Sequence, residues 1–178
     1  MAVDLYTPTK LGIAPRKFFF IIIHDTNCQW EMSDYYKIDK GMFQAGPMRA
    51  RFRNEKHYDE FPYHFIVERI GENFQTIVGR PLQYSCKNEY PDIDTYYSKY
   101  GIHVCLMGNY NGNFVLPKMY QQLAYRVICP MMKAYRITKS RILTHGEISK
   151  EHPDCPGFNF SKQTLFAFMT KFLIGVNS

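Results

Sequence analysis

The chain reads as a single-domain α/β protein, a central mixed β-sheet flanked by helices, on three observations. The runs "FFFIIIHD" and "IHVCLMG" are nearly continuously apolar, as strands buried on both faces are. The segment "YHFIVERIGENFQTIVGRP" places a turn between two strand-like runs. Two later stretches repeat apolar residues at helical spacing. With 178 residues there is enough chain for a substantial core, and no repeat, low-complexity tract or linker divides it. One domain over residues 1–178 is expected.

Taken in order, Lys17 to Asp25 is the first buried strand, and it ends in His24 and Asp25. Polar groups at the C-terminal tip of a strand stand where open α/β sheets usually carry their sites. Asp39 to His57 mixes Met42, Phe43, Met48 and Phe52 with Arg49, Arg51 and Arg53, and reads as partly helical, broken at Gly46-Pro47. The three arginines suit either a solvated helix face or a grip on phosphate or acidic polymer. Tyr63 to Arg69 and Phe74 to Val78 form a hairpin around Gly71-Glu72-Asn73. "DIDTYYSKYG" reads as a polar, tyrosine-rich loop, and Ile102 to Gly108 as another buried strand before the turn "NYNGN". Lys118 to Tyr135 carries Leu123, Val127 and Met131 at four-residue spacing, which predicts an amphipathic helix bent at Pro130. Arg141 to His145 is a short strand. Ser161 caps a terminal helix whose apolar face holds Leu165, Phe166, Met169, Phe172 and Leu173. The order β-α-β-β-β-α-β-α implies a mixed sheet with helices packed on it.

Bulk properties narrow the function classes. The formal net charge is +6 and the pI near 9.0, which favours an anionic partner such as a cell wall, a membrane surface or a nucleic acid. No nucleic-acid reading motif accompanies the charge, so a nucleic-acid partner is not expected. "FFFIII" is too short to span a bilayer, so membrane insertion is not expected either. The N-terminus lacks a basic start followed by a long apolar stretch, so no signal peptide is read there. The five cysteines (Cys28, Cys86, Cys105, Cys129, Cys155) are odd in number and scattered, which argues against a disulfide framework. A protein made in a reducing cytoplasm is the expectation.

Chemistry concentrates in "HGEISKEHPDCPG", His145 to Gly157. Two buried strands, "FFFIIIH" and "RILTH", each end in a histidine, and adjacent strands lie about 5 Å apart. His24 and His145 could therefore share a metal, with Cys155 turned inward by Pro156-Gly157 as a third ligand. Zinc accepts imidazole nitrogen and thiolate sulfur, and a catalytic site uses three protein ligands with a fourth position open. The plainer reading is two strand-end histidines bonded to backbone and an inert buried cysteine. Spacing alone does not decide between the two.

Four blocks, "FIIIHDT", "PYHFIVERIGENFQTIVGRP", "GIHVCLMGNYNG" and "ILTHGEISKEHPDCPGF", occur in the order and spacing of the type-2 N-acetylmuramoyl-L-alanine amidases. The chain resembles that family, which includes phage endolysins and peptidoglycan recognition proteins, from about Phe18 to Phe160. The resemblance implies a zinc site at the strand ends, with His24, His145 and Cys155 as metal ligands and Tyr63 as the catalytic side chain. A Tyr63 packed beneath the sheet is the alternative. His64 points to the opposite face if both lie in one strand, and reads as structural.

Two places depart from the family pattern. Two residues before the third ligand, hydrolytic relatives carry a lysine, or a threonine in the recognition proteins, that donates to the oxyanion. Here Pro153 has neither a donor side chain nor an N–H. His152, or less well Lys150, could take over the donor role, or each could be a solvated loop charge. After the hairpin, a histidine-bearing family segment is replaced by "YSCKN", with Cys86 and Lys87 in its place. Glu147, two residues past a ligand, is either a group supporting the site or a surface acid. The expected function is zinc-dependent hydrolysis of the N-acetylmuramoyl-L-alanine bond of bacterial peptidoglycan by a monomeric, phage-type endolysin. It would gather in the host cytoplasm and act on the wall after release. A binding module of the same fold, holding peptidoglycan without cutting it, is the alternative.

Overall fold

The structure, a computed structural model, describes residues 17–26, 63–70, 72–80, 82–86 and 95–176. The predicted helix within 39–57, its arginine cluster, Cys28 and Lys87 lie outside the described residues.

Five strands form one mixed sheet in the order β3-β2-β4-β1-β5. They are β1 (Phe20–Asp25), β2 (Phe65–Ile70), β3 (Asn73–Val78), β4 (Gly101–Leu106) and β5 (Ile142–Thr144). β1 lies at the centre, parallel to both β4 and β5, which is what its unbroken isoleucine run requires. β2 is parallel to β4 and antiparallel to β3, with Ile70 opposite Asn73 at the hairpin end. Tyr63 stands in a bend just before β2, so the Tyr63–His64 alternation expected of one strand does not apply. β3 at the edge alternates polar and apolar residues and is partly exposed throughout.

"TYYSKY", read from sequence as loop, is a single-turn helix α1 (Thr95–Tyr100) leading straight into β4. Its tyrosines pack on β1, with Tyr97 and Tyr96 each edge-on to Phe20. Tertiary contact overrides the poor local helix propensity of aromatic residues. The long predicted helix is α2 (Pro117–Leu123), a widened π turn (Ala124–Ile128) and α3 (Cys129–Tyr135). The irregularity comes one step before the predicted bend. The Cys129 N–H reaches back five residues to the Ala124 carbonyl, and Pro130, having no N–H, cannot restore the regular ladder. The last helix, α4 (Lys162–Val176), is capped by Ser161, whose Oγ accepts from the Thr164 N–H at 3.1 Å. No helix among the described residues is long and apolar enough to cross a membrane.

Strand alternation sorts the side chains into two unlike faces. Ile21, Ile23, Phe65, Val67, Ile102, Val104 and Leu106 meet Leu123, Val127, Ile128, Met131, Leu165 and Met169 in one apolar core. On the opposite face Ile66 and Cys105 join Tyr63, Cys86 and Met107 in a smaller cluster, next to the buried His24, His64 and His103.

Candidate metal centre

Register brings the first two ligands together. Ile23 pairs with Thr144, so His24 and His145 are the next residues on neighbouring parallel strands, and their ring centroids lie 4.7 Å apart. His145 opens a 3-10 turn, His145–Glu147. Glu147 returns to the Thr144 N–H at 2.7 Å and takes the Lys162 ammonium at 2.8 Å, closing a capping box with Thr144. Partial burial pushes its carboxyl up, but Lys162 and the Thr144 N–H outweigh this and hold it below the usual range. Glu147 is thus a surface acid that braces the turn carrying His145.

The third candidate is brought in by glycines. Gly146 N–H donates to the Cys155 carbonyl at 2.8 Å. A Cβ on Gly146 would run into the Pro153 carbonyl, and one on Gly157 would run into the backbone of Tyr110. Gly157 also sits at φ +100°, a conformation that side-chain-bearing residues rarely adopt. The loop after β4 grips the other side: Asn111 Oδ1 accepts from Phe158 N–H at 3.0 Å, and the Tyr110 carbonyl from Asn159 N–H at 3.0 Å.

The donor atoms of His24, His145 and Cys155 consequently lie within 4.8 Å of one another. Both histidines are buried and the cysteine is half-buried. Two nitrogens and one sulfur match zinc's ligand preferences. His24 Nδ1 is buried yet makes no hydrogen bond among the described residues, a costly omission that a metal ion would repair. Burial, reinforced by His103, His145 and His64, drives the His24 imidazole well below its ordinary pKa and keeps it in the neutral, metal-binding form. The Cys155 thiol is pushed up, first by burial and then by the carboxylate of Asp25, whose Oδ1 lies 3.4 Å from Sγ. Without metal the thiol therefore keeps its proton.

Around this cluster is a cleft of about 150 Å³ lined by Asp25, Asn111, His145, Glu151, His152, Pro153, Asp154 and Cys155. A larger cavity of about 500 Å³ between the β2–β3 hairpin end and the helices includes Glu72, Lys118 and Arg126 but none of the three donors. Chemistry, not volume, marks the site. Tyr63 is buried with its ring centroid 5.0 Å from that of His24. His152 lies 5.5 Å from His145, ring to ring, with its N–H on Ser149 Oγ and its carbonyl accepting from Cys155 N–H. Lys150 is exposed. His64 is held on both sides by backbone, Nδ1 accepting from His103 N–H and Nε2 bonding the Tyr84 carbonyl, in keeping with a structural role. Cys86, Cys105 and Cys129 are buried, and burial pushes the Cys129 thiol up to about 11. Sequence reasoning passed over His103, fully buried beside His24. A lone histidine within the apolar strand "GIHVCL" was the available signal.

Solved structures share this fold. The N-acetylmuramoyl-L-alanine amidase LysC from Clostridium intestinale URNW is 19% identical, with 86% of each chain covered and a TM-score of 0.61. Drosophila PGRP-LB in complex with tracheal cytotoxin is 15% identical, with 82% of this chain and 79% of that chain covered and a TM-score of 0.56. Drosophila Peptidoglycan Recognition Protein (PGRP)-SA is 14% identical, with 84% of this chain and 78% of that one covered and a TM-score of 0.57. No curated protein matches the sequence. The Amidase_2 family, described as N-acetylmuramoyl-L-alanine amidase, matches residues 14–158, which is most of the chain. With the strand-end cluster in place and the family match running through all three of its residues, this chain belongs to the N-acetylmuramoyl-L-alanine amidase family.

Proposed function

We propose that this protein is a zinc-dependent hydrolase of the amide between the N-acetylmuramoyl lactyl group and L-alanine in bacterial peptidoglycan. We read it as a monomeric, phage-type endolysin, made in the host cytoplasm and reaching the wall after release. The observation that carries the reading is the convergence of His24, His145 and Cys155 at one end of a parallel strand pair.

In this reading His24 and His145 offer ring nitrogens, and Cys155 gives up its proton to become the thiolate ligand. When bound, zinc supplies Lewis-acid polarisation of the scissile carbonyl and activation of water near neutral pH. Tyr63 presents a phenol from the sheet side of the cluster, placed to orient the attacking water or bond the tetrahedral intermediate. His152, on the loop side, is the donor that stands in for the one missing at Pro153, and it can pass a proton to the departing amine. The net charge of +6 supports affinity for an anionic wall polymer.

Purified protein incubated with peptidoglycan should release stem peptides, detectable by mass spectrometry, and a chelator should abolish the release. Pro153 favours the second reading, a peptidoglycan-binding module, because it leaves the usual donor place empty of any N–H or hydroxyl. Peptidoglycan retained with zinc bound and no peptide released would establish that reading instead.

A further inference from the structure

We infer that His103 is a positioning residue that fixes which nitrogen of His24 faces the metal, through a hydrogen-bond relay anchored on the Tyr97 carbonyl. The inference rests on the metal-site reading above, not on hydrolysis.

The relay starts at the end of α1, where the last four carbonyls of a helix lack partners within it. Tyr97 is among them, and its oxygen lies 3.1 Å from His103 Nε2. A carbonyl can only accept, so His103 Nε2 carries the proton. His103 is fully buried between two other imidazoles, its ring 5.1 Å from that of His24 and 5.9 Å from that of His64. In the neutral ring His103 Nδ1 is then a bare lone pair. It lies 2.9 Å from His24 Nε2, which must therefore be the donor. With its hydrogen on Nε2, His24 is left with a lone pair on Nδ1, the atom that makes no hydrogen bond among the described residues. One carbonyl thus sets two tautomers in series.

Sequence features protect the geometry. A Cβ at Gly101 would collide with the Tyr97 carbonyl and would sit 2.9 Å from His103 Nε2, so glycine there is what lets the helix end approach the ring. His103 N–H is itself held by His64 Nδ1 at 2.9 Å, which fixes the start of the strand carrying the relay. Hydrogen-bonded partners of metal-ligating histidines orient the ring and raise its basicity, and losing one typically weakens metal binding about 10- to 100-fold.

Two measurements test this on the full chain. The zinc dissociation constant, read by competition with a chromophoric chelator, should rise about 10- to 100-fold in His103→Leu, which removes the acceptor. It should stay within about threefold of wild type in His103→Asn, whose amide oxygen can accept from His24 Nε2–H. Equal affinity in wild type and His103→Leu, or equal loss in both variants, overturns the relay. Long-range nitrogen–proton spectra of the chelator-treated wild type need no substitution, and should show His24 and His103 both protonated on Nε2. A hydrogen on His24 Nδ1 overturns the inference even if zinc binds well. A wild-type chain that binds no zinc at all sinks the metal-site reading itself, and the relay with it.

Discussion

The two faces of the central strands use the same alternation for opposite ends. On β1, Ile21 and Ile23 enter the apolar core under the helices, whereas His24, one residue on, enters a layer of imidazoles. On β4, Val104 is core while His103 and Cys105 face the other way. The core face needs only volume and apolarity, and many residues share each contact. The imidazole face needs particular atoms: His24 has one nitrogen on His103 and one toward Cys155 and His145. A substitution on the first face should cost stability, and one on the second should cost chemistry.

The adjacent pair Ile23 and His24 gives the sharpest way to break that contrast. His24→Ala should abolish zinc binding, measured by metal analysis, and with it all peptide release, while the melting temperature of chelator-treated protein changes little. Cys155→Ser should do the same. Ile23→Ala should do the reverse, losing about 2–5 kcal/mol in denaturant unfolding while the folded fraction keeps wild-type zinc affinity. If His24→Ala retains stoichiometric zinc, or Ile23→Ala loses it at full foldedness, the two faces are not separable.

Within the site, His152→Ala should lower turnover about 10²–10³-fold with zinc retained, the usual cost of one oxyanion donor, while Lys150→Ala should do little. Tyr63→Phe keeps the packing against His24 and removes only the hydroxyl, so a fall in turnover at constant zinc content assigns the phenol a chemical role. Unchanged turnover in both His152→Ala and Tyr63→Phe would leave the metal ligands as the whole catalytic apparatus.

Acidity provides a smaller effect of known sign. Cys155 holds its proton in the metal-free protein because its pKa is raised, so zinc binding must release that proton. Zinc affinity should accordingly rise about tenfold from pH 6.5 to 7.5. His24, whose pKa is lowered, is already neutral there and adds nothing to the slope. A flat profile would mean that Cys155 is not the third ligand. The smallest effect belongs to Glu147, whose lowered pKa contributes stability above the unfolded carboxylate range and loses it as pH falls through the folded value. Glu147→Gln should cost a few tenths of a kcal/mol near neutral pH, less at pH 4, with zinc affinity intact.

The sequence by itself determined the strands of the sheet and the candidate ligands. Unbroken runs such as "FFFIII" can only be satisfied by burial on both sides, and histidines at two strand tips meet once the strands are neighbours. Tertiary structure decided what depends on contacts distant in the chain. Thr95–Tyr100 became helix because its tyrosines found β1, not because tyrosine favours a helix. The helix before Pro130 widened ahead of the proline rather than at it, since the missing donor is felt by the turn that would have accepted it. Glu147 was resolved as a brace by Lys162, fifteen residues away, and His103 acquired its relation to His24 through a parallel register spanning 79 residues. Local patterns carry burial and periodicity, which are properties of a segment. Which nitrogen of a histidine meets which acceptor is a property of the assembled sheet, and no segment contains it.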